Sequence, residues 1–309
     1  MLLADSLDKP LSSVPIVLTI GVFDGVHLGH QRLITTAVER AASLGYASAV
    51  ITFDPHPNTV IRPDNPIPLL SSIEERSKLI EALGADILVV APFNREVMST
   101  PAEDYMRQIK HALPLKELWI GHDFALGRRR EGNFARLSEI GQELGYSVGT
   151  VAQVLTGDQV ISSSRIRETL QAGQVADVVP LLGHFYWLEG KIIQGDQRGR
   201  TIGFPTANFS IAENHILPAD GVYACYVTVD GQRHQAVTNI GKRPTFDGLK
   251  RTVEAHLLDF DGDLYGKVLR LEFIDRIRNE QRFAGIDALI AQIRKDVETA
   301  REIFARQTQ

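Results

Sequence analysis

The sequence predicts an α/β protein in two parts: a doubly wound parallel sheet, then a small antiparallel β-barrel with a C-terminal helix. Three observations carry this. Up to about residue 155, short apolar runs alternate with amphipathic stretches, the pattern of repeated βα units. Beyond residue 184, segments rich in β-branched and aromatic residues follow one another across short turns. Near the end, Ile286, Leu289, Ile290, Ile293 and Val297 line one side of a helix over 286–306. A chain of 309 residues can form two cores, and the change of texture after His184 divides it into domains 1–183 and 184–309.

In the first domain, strands are expected at 16–20, 47–53, 86–91, 117–121 and 147–153, with helices at 28–44, 73–84, 101–112 and 133–145. Most of these strands lack polar alternation, as expected when helices cover both sheet faces. Ser162-Ser163-Ser164 suits a helix cap, and Gly173 suits the end of that helix. In the second domain, strands are expected at 185–193, 221–229, 232–238, 253–258 and 268–274. Asp230-Gly231 joins two of them and is a strong hairpin signal.

Composition narrows the function classes. Hydrophobic residues make up 44% and charged residues 23%, an ordinary soluble composition. A net charge of −5 supplies no basic footprint for nucleic acid. No apolar run approaches the roughly 20 residues of a membrane span, so no membrane partner is expected. Residues 1–8 carry two acids and no long apolar segment, so no secretory leader is expected. The lone cysteine, Cys225, excludes an intramolecular disulfide and fits a reducing cytoplasm. The sequence does not reveal an oligomeric state.

The run Gly21-Val22-Phe23-Asp24-Gly25-Val26-His27-Leu28-Gly29-His30 sits between the first expected strand and the first helix. Two imidazoles three residues apart thus stand at a helix N-terminus, where backbone N–H groups and the helix dipole favour phosphate. Attack on the α-phosphorus of a nucleoside triphosphate gathers charge on non-bridging oxygens, which such donors stabilise. Gly29 leaves room for a nucleotide to approach the backbone. Ser162 to Arg167 offers hydroxyls, N–H groups and cations for a triphosphate. The loop Gly127-Arg128-Arg129-Arg130-Glu131-Gly132 reads equally as a flap over a phosphate or as solvated charge.

The stretch from Gly195 to Asn208 (GDQRGRTIGFPTAN) is a second phosphate-handling candidate. Gly195, Gly199 and Gly203 with Arg198 and Arg200 allow a loop to close on an anion. Thr206 and Asn208 offer neutral oxygens to Mg²⁺, which normally also binds substrate phosphate and water. The nine histidines show no structural zinc spacing with cysteine.

GVFDGVHLGH, TFDPHP, GHDFALG and ISSSRIR closely resemble the adenylyltransferase half of the bacterial bifunctional riboflavin kinase/FAD synthetase family. GDQRGRTIGFPTAN resembles that family's riboflavin kinase signature, and residues 239–246, 253–258, 263–266 and 277–283 resemble further family segments. The resemblance implies a Rossmann-like HxGH nucleotidyltransferase domain, then a six-stranded riboflavin kinase-like barrel. It implies phosphorylation of riboflavin by ATP to FMN, then adenylylation of FMN by ATP to FAD and pyrophosphate. Mg²⁺ would arrive with ATP, and no tightly bound organic cofactor is expected.

By the same resemblance, His27 and His30 contact ATP phosphates, Asp123 lies at the FMN/ATP site, and Ser163 and Arg167 hold the nucleotide. Gly21, Phe23, Asp24, Gly25 and Gly29 belong to the first signature. Gly195, Gly199, Arg200, Gly203 and Pro205 belong to the second, with Thr206 and Asn208 at the metal. The catalytic carboxylate of the family maps to Glu254, which alternation places on the same strand face as His256. One position departs: many members carry arginine where this chain has Val160, so a cation is expected from elsewhere, Arg128 or Arg165. The rivals are an HxGH adenylyltransferase for another phosphorylated substrate, which leaves GFPTAN unexplained, and a barrel that only binds.

Overall fold

The computed structural model describes residues 1–195, 198–245 and 248–307. The chain forms two compact units, Met1–Ser163 and Ser164–Gln309. In the first, six strands form an all-parallel sheet: β1 (Leu2–Ala4), β2 (Ile16–Ile20), β3 (Ala47–Asp54), β4 (Ile87–Pro92), β5 (Leu115–Gly121) and β6 (Ser147–Val151). Their order is β1-β4-β3-β2-β5-β6, and β7 (Leu155–Thr156) and β8 (Gln159–Val160) form a separate antiparallel hairpin. β2 is buried along its whole length, which is why its sequence reads as an unbroken apolar run. The helix Leu28–Leu44 matches the expected range and ends on Gly45 at φ 68°, a left-handed cap that favours glycine. The helices Ile73–Ala82, Ala102–Ala112 and Phe134–Leu144 fall within one to two residues of their expected ends.

Strand order places the site. From β2 the chain winds one way through β3 and β4, and then β5 pairs with the other side of β2. The connections leaving β2 and β5 therefore diverge, and ligands of open α/β sheets bind in the crevice so formed at the C-terminal strand ends. The turn carrying His27 and His30 leaves β2, and the turn carrying His122 and Asp123 leaves β5.

In the second unit, six strands close an antiparallel barrel in the order β10-β13-β12-β11-β14-β9. They are β9 (Trp187–Ile193), β10 (Ala207–Ser210), β11 (Gly221–Val229), β12 (Gln232–Thr245), β13 (Gly248–Leu257) and β14 (Val268–Asn279). Asp230 and Gly231 both adopt positive φ, 48° and 84°, as a two-residue type I′ hairpin turn requires. β10 was not expected: its four residues are hidden in the glycine-rich string, yet it pairs with both β9 and β13 and closes the barrel. β12, β13 and β14 also run longer than their apolar cores suggest.

β11 shows why this unit lacks clean alternation. Tyr223, Cys225 and Val227 face the barrel interior, while Val222 and Ala224 meet Ala300, Ile303 and Phe304 of the helix Ile286–Gln307. Burial on both faces removes the polar positions. The same helix carries Asp296, 3% exposed, whose carboxylate takes the Arg278 guanidinium at 2.8–3.1 Å and Gln292 Nε2 at 2.9 Å. Deleting one partner of a buried pair strands the other. Asp296→Ala is therefore expected to destabilise the barrel by about 3 kcal/mol, read as a lower calorimetric midpoint. An unchanged midpoint would show that apolar contacts alone hold the helix.

Candidate active sites

The first site is built on a backbone turn that ordinary residues avoid. Phe23, Gly25 and Val26 adopt φ of 52°, 76° and 39°. For Phe and β-branched Val, positive φ costs on the order of 1–3 kcal/mol and persists only where surrounding contacts over-determine it. Those contacts are present. Phe23 is fully buried in the apolar cluster with Val26, Ile34 and Leu88. Asp24, 1% exposed, accepts hydrogen bonds from Leu70 N, Ser71 N and Ser71 Oγ at 3.0–3.2 Å. Gly25 N donates to Ser71 Oγ at 2.9 Å, and Thr52 Oγ1 donates to Val22 O at 2.8 Å. A side chain at Gly21 would strike the Phe23 ring, and one at Gly25 would strike Leu70. Gly21, Phe23, Asp24 and Gly25 thus shape the turn from within.

His27 and His30 end this turn as a stacked pair, with ring centroids 3.6 Å apart and planes 17° from parallel. The edge of Phe23 meets His30 at 5.2 Å. His27 caps the helix Leu28–Leu44: its Nδ1 accepts from His30 N at 3.3 Å, which leaves the proton of a neutral ring on Nε2. The His27 ring folds over Gly29, where an added Cβ would lie 3.1 Å from its Cε1. The space at Gly29 is thus taken up by His27. Nδ1 of His30 is buried without a hydrogen-bond partner. Burial, then the neighbouring His27 and Arg76, hold the His30 imidazole well below the usual histidine range, so it is neutral at pH 7.

Burial also lowers the proton affinity of His184 in the second unit. For both groups the folded value lies below the unfolded one, so the unfolded chain binds more protons as pH falls below about 6.5. Stability is complete above that pH and declines beneath it, by up to about 1.4 kcal/mol per pH unit for each histidine. Calorimetric melts between pH 7.5 and 5 are expected to show this slope, and His30→Gln should flatten it. A slope unchanged in His30→Gln would contradict a neutral buried His30.

Ser163 Oγ donates to Asp24 O at 3.0 Å, joining the serine motif to the same turn across 139 residues of sequence. Arg167 is buried on the helix Ser163–Gln171. Asp123 is exposed at the end of β5. Its carboxylate meets His122 Nδ1 at 3.0 Å and accepts from Gln153 Nε2 at 2.9 Å, while Arg130 donates to its backbone O at 2.9 Å. The arginine loop is anchored: Arg128 N donates to Thr100 O, and Glu131 accepts from Ala102 N. Arg128 faces Glu131 at 3.8 Å. Val160 is exposed in a two-stranded hairpin, where it pairs with Leu155.

The barrel site follows from register. Asn208 of β10 pairs with Glu254 of β13, which pairs in turn with Asn239 of β12. Their sequence neighbours Ala207, Val253, Ala255, Thr238 and Ile240 are buried inside, so the row lies on the outer barrel face. Glu254 Oε1 accepts from Thr252 Oγ1 at 3.3 Å. His256, on the same face, bonds Pro205 O at 2.8 Å and meets the Phe204 ring at 5.5 Å. Gly195 lies against Asn208, where a Cβ would fall 2.6 Å from Cγ, and a Cβ at Gly199 would collide with Phe204 O. Gly203 has φ 87°. The Arg200 side chain lies outside the described residues. A cavity of about 500 Å³ opens here, lined in part by Ile192, Pro205, Thr206, Asn208, Leu257 and Tyr265, a size suited to a small-molecule ligand.

A family model described as FAD synthetase matches residues 10–165, and one described as riboflavin kinase matches residues 182–304. A protein of Bacillus subtilis described as bifunctional riboflavin kinase/FMN adenylyltransferase is 39% identical over 94% of this chain and 92% of its own. The Escherichia coli K12 protein of the same description is 38% identical over 93% and 92%. The chain belongs to the bifunctional riboflavin kinase/FMN adenylyltransferase family. A crystal structure described as a macrolide-efflux protein from Streptococcus pneumoniae has a TM-score of 0.90 at 29% identity, covering 97% of this chain and 98% of that one. No helix among the described residues is long and apolar enough to cross a membrane.

Within the family's first matched region the structure gathers Asp24, His27 and His30 at one turn, bonds Ser163 to it, and puts Asp123 after the neighbouring strand. In the second it joins Asn208 and Glu254 in register, and Asn208 shares the cavity wall with Thr206. Arg76, Ser71 and Thr52, which surround the first turn, escaped the sequence reading. One trace existed: Arg76 follows the capping box Ser72–Glu75, so it opens a helix directed at the turn.

Proposed function

We propose that the barrel unit transfers the terminal phosphoryl group of ATP to riboflavin, and that the first unit transfers AMP from a second ATP to the resulting FMN. The observation that supports this reading best is the presence of two dissimilar sites, each in its own unit. One is a stacked imidazole pair at a helix N-terminus, and the other is a carboxylate paired in register with a neutral amide. That division suits the two nucleophiles. The FMN phosphate has a second pKa of about 6 and is already anionic at neutral pH. It attacks the α-phosphorus, the bond to the β-phosphate oxygen breaks, and pyrophosphate leaves. His27 through Nε2–H, His30 and the N-terminal backbone of the helix Leu28–Leu44 stabilise the charge on the α-phosphate oxygens, with Asp123 and Ser163 holding the nucleotide and flavin.

The ribityl hydroxyl of riboflavin must instead lose a proton as it attacks the γ-phosphorus and ADP departs. Glu254 takes that proton. Asn208, in register with it, and Thr206 of the cavity wall that Asn208 shares offer neutral oxygens. Among the described residues no group of three or more His, Cys, Asp or Glu is placed to hold a metal ion. That donor set fits Mg²⁺, which keeps water and phosphate oxygens in its shell. Bound with ATP, the ion would neutralise phosphate charge. We place the functional boundary at 183/184, two residues from the start of the second matched region at 182. We place the enzyme in the cytoplasm, since its single cysteine, Cys225, forms no disulfide within the chain.

The test is chromatography of the protein incubated with riboflavin, ATP and Mg²⁺. FMN, FAD, ADP and pyrophosphate are all expected. FMN without FAD would remove the adenylyl-transfer assignment, and neither product would remove both.

A further inference from the structure

Arg76 is 2% exposed, one turn into the helix Ile73–Ala82, and its two Nη atoms are met by groups of the first unit. Nη1 donates to Thr52 Oγ1 and to Phe53 O, each at 3.2 Å, and Nη2 lies 3.7 Å from Asp24 Oδ1. Through these groups it ties together three separate segments. Thr52 continues to Val22 O, at the entrance of the strained turn. Asp24 continues to the backbone of Leu70 and Ser71, and Ser71 Oγ returns to Gly25 N. The turn is therefore gripped before, at and after Phe23 and Asp24, and His27 and His30 follow immediately.

We propose that Arg76 is a positioning residue for adenylyl transfer, acting through Asp24 and Thr52 to hold the turn in the conformation that stacks His27 on His30. It touches no reacting atom. A guanidinium is suited to this task because its fixed planar fork can engage a carboxylate, a hydroxyl and a carbonyl at once. Its burial makes the arrangement all-or-none: without Asp24 the cation is stranded, and without Arg76 the carboxylate loses its counter-charge. A donor displaced by about 1 Å can lose on the order of 100-fold in rate, so a small relaxation of the turn should appear in turnover rather than in nucleotide affinity.

This inference rests on the adenylyl-transfer reading, and the experiment separates the two. FAD formation from FMN and ATP, and FMN formation from riboflavin and ATP, are measured for the wild type, Arg76→Met, Arg76→Lys and Asp24→Asn. Arg76→Met is expected to lower kcat for FAD formation at least tenfold, with KM for ATP within threefold and FMN formation within twofold. Arg76→Lys, which keeps the charge, should recover part of that loss. A purely structural role would lower the melting temperature yet leave kcat per folded molecule unchanged. A folded Arg76→Met with kcat within threefold of wild type, or with the loss confined to KM, overturns the proposal. Should Arg76→Met not fold, the same limits apply to Asp24→Asn. A wild type that makes FMN and no FAD would instead remove the underlying reading, and the proposal with it.

Discussion

Replacing His30 with alanine is expected to slow FAD formation by about 10²–10³-fold, the usual cost of one donor aimed at developing charge, and to leave FMN formation intact. The structure gives reasons to expect the upper end. His30 stacks on His27 at 3.6 Å, so its removal also frees the ring that caps the helix. Because the imidazole is held neutral, it acts as a hydrogen-bonding group rather than as a cation. FAD formation should accordingly show no decline between pH 7 and 8. Product chromatography under saturating ATP measures both activities in one sample. Loss of FMN formation as well, in a folded His30→Ala protein, would mean that the two reactions do not have separate sites.

Glu254→Ala should give the reciprocal result. Loss of a positioned general base typically costs about 10²–10⁴-fold, here in FMN formation, while added FMN is still converted to FAD. Glu254→Gln is the sharper variant. It keeps the size of the side chain and an oxygen to accept from Thr252, but removes the basic carboxylate. An equally inactive Gln variant assigns the loss to proton transfer. A Gln variant close to wild type would limit Glu254 to a packing or hydrogen-bonding role on the outer barrel face.

Both predictions concern residues whose spacing could be read directly from the chain. The strand-turn-helix around His27 and His30 is local: an apolar run, a glycine-rich turn and a 3.6-residue apolar stripe. The ranges 16–20 and 28–44 were therefore legible to the residue. Glu254 was placeable on the face of His256 because a strand alternates with a period of two. β10 was harder. Four residues are too few to show a period, and Asn208 belongs equally to the loop that precedes it. β1 escaped for the same reason, being three residues long at the sheet edge, paired with β4.

The direction in which Asp24 points was not legible at all. As part of a nucleotide signature its carboxylate could equally face a ligand or the protein, and its partners Leu70 and Ser71 lie 46 and 47 residues away. The same holds for Ser163, which reaches Asp24 O from 139 residues further along.

What the amino-acid sequence determined by itself is therefore whatever repeats within a few residues: periodicity, turn chemistry, and the motif spacings that name the family. Only the tertiary structure decided that the carboxylate of the first signature faces inward to hold its turn, and that Asn208 stands beside Glu254. The reason is physical. Side-chain direction follows backbone period over short distances, whereas strand register and the partners of a buried charge are selected by packing between segments that the chain order leaves far apart.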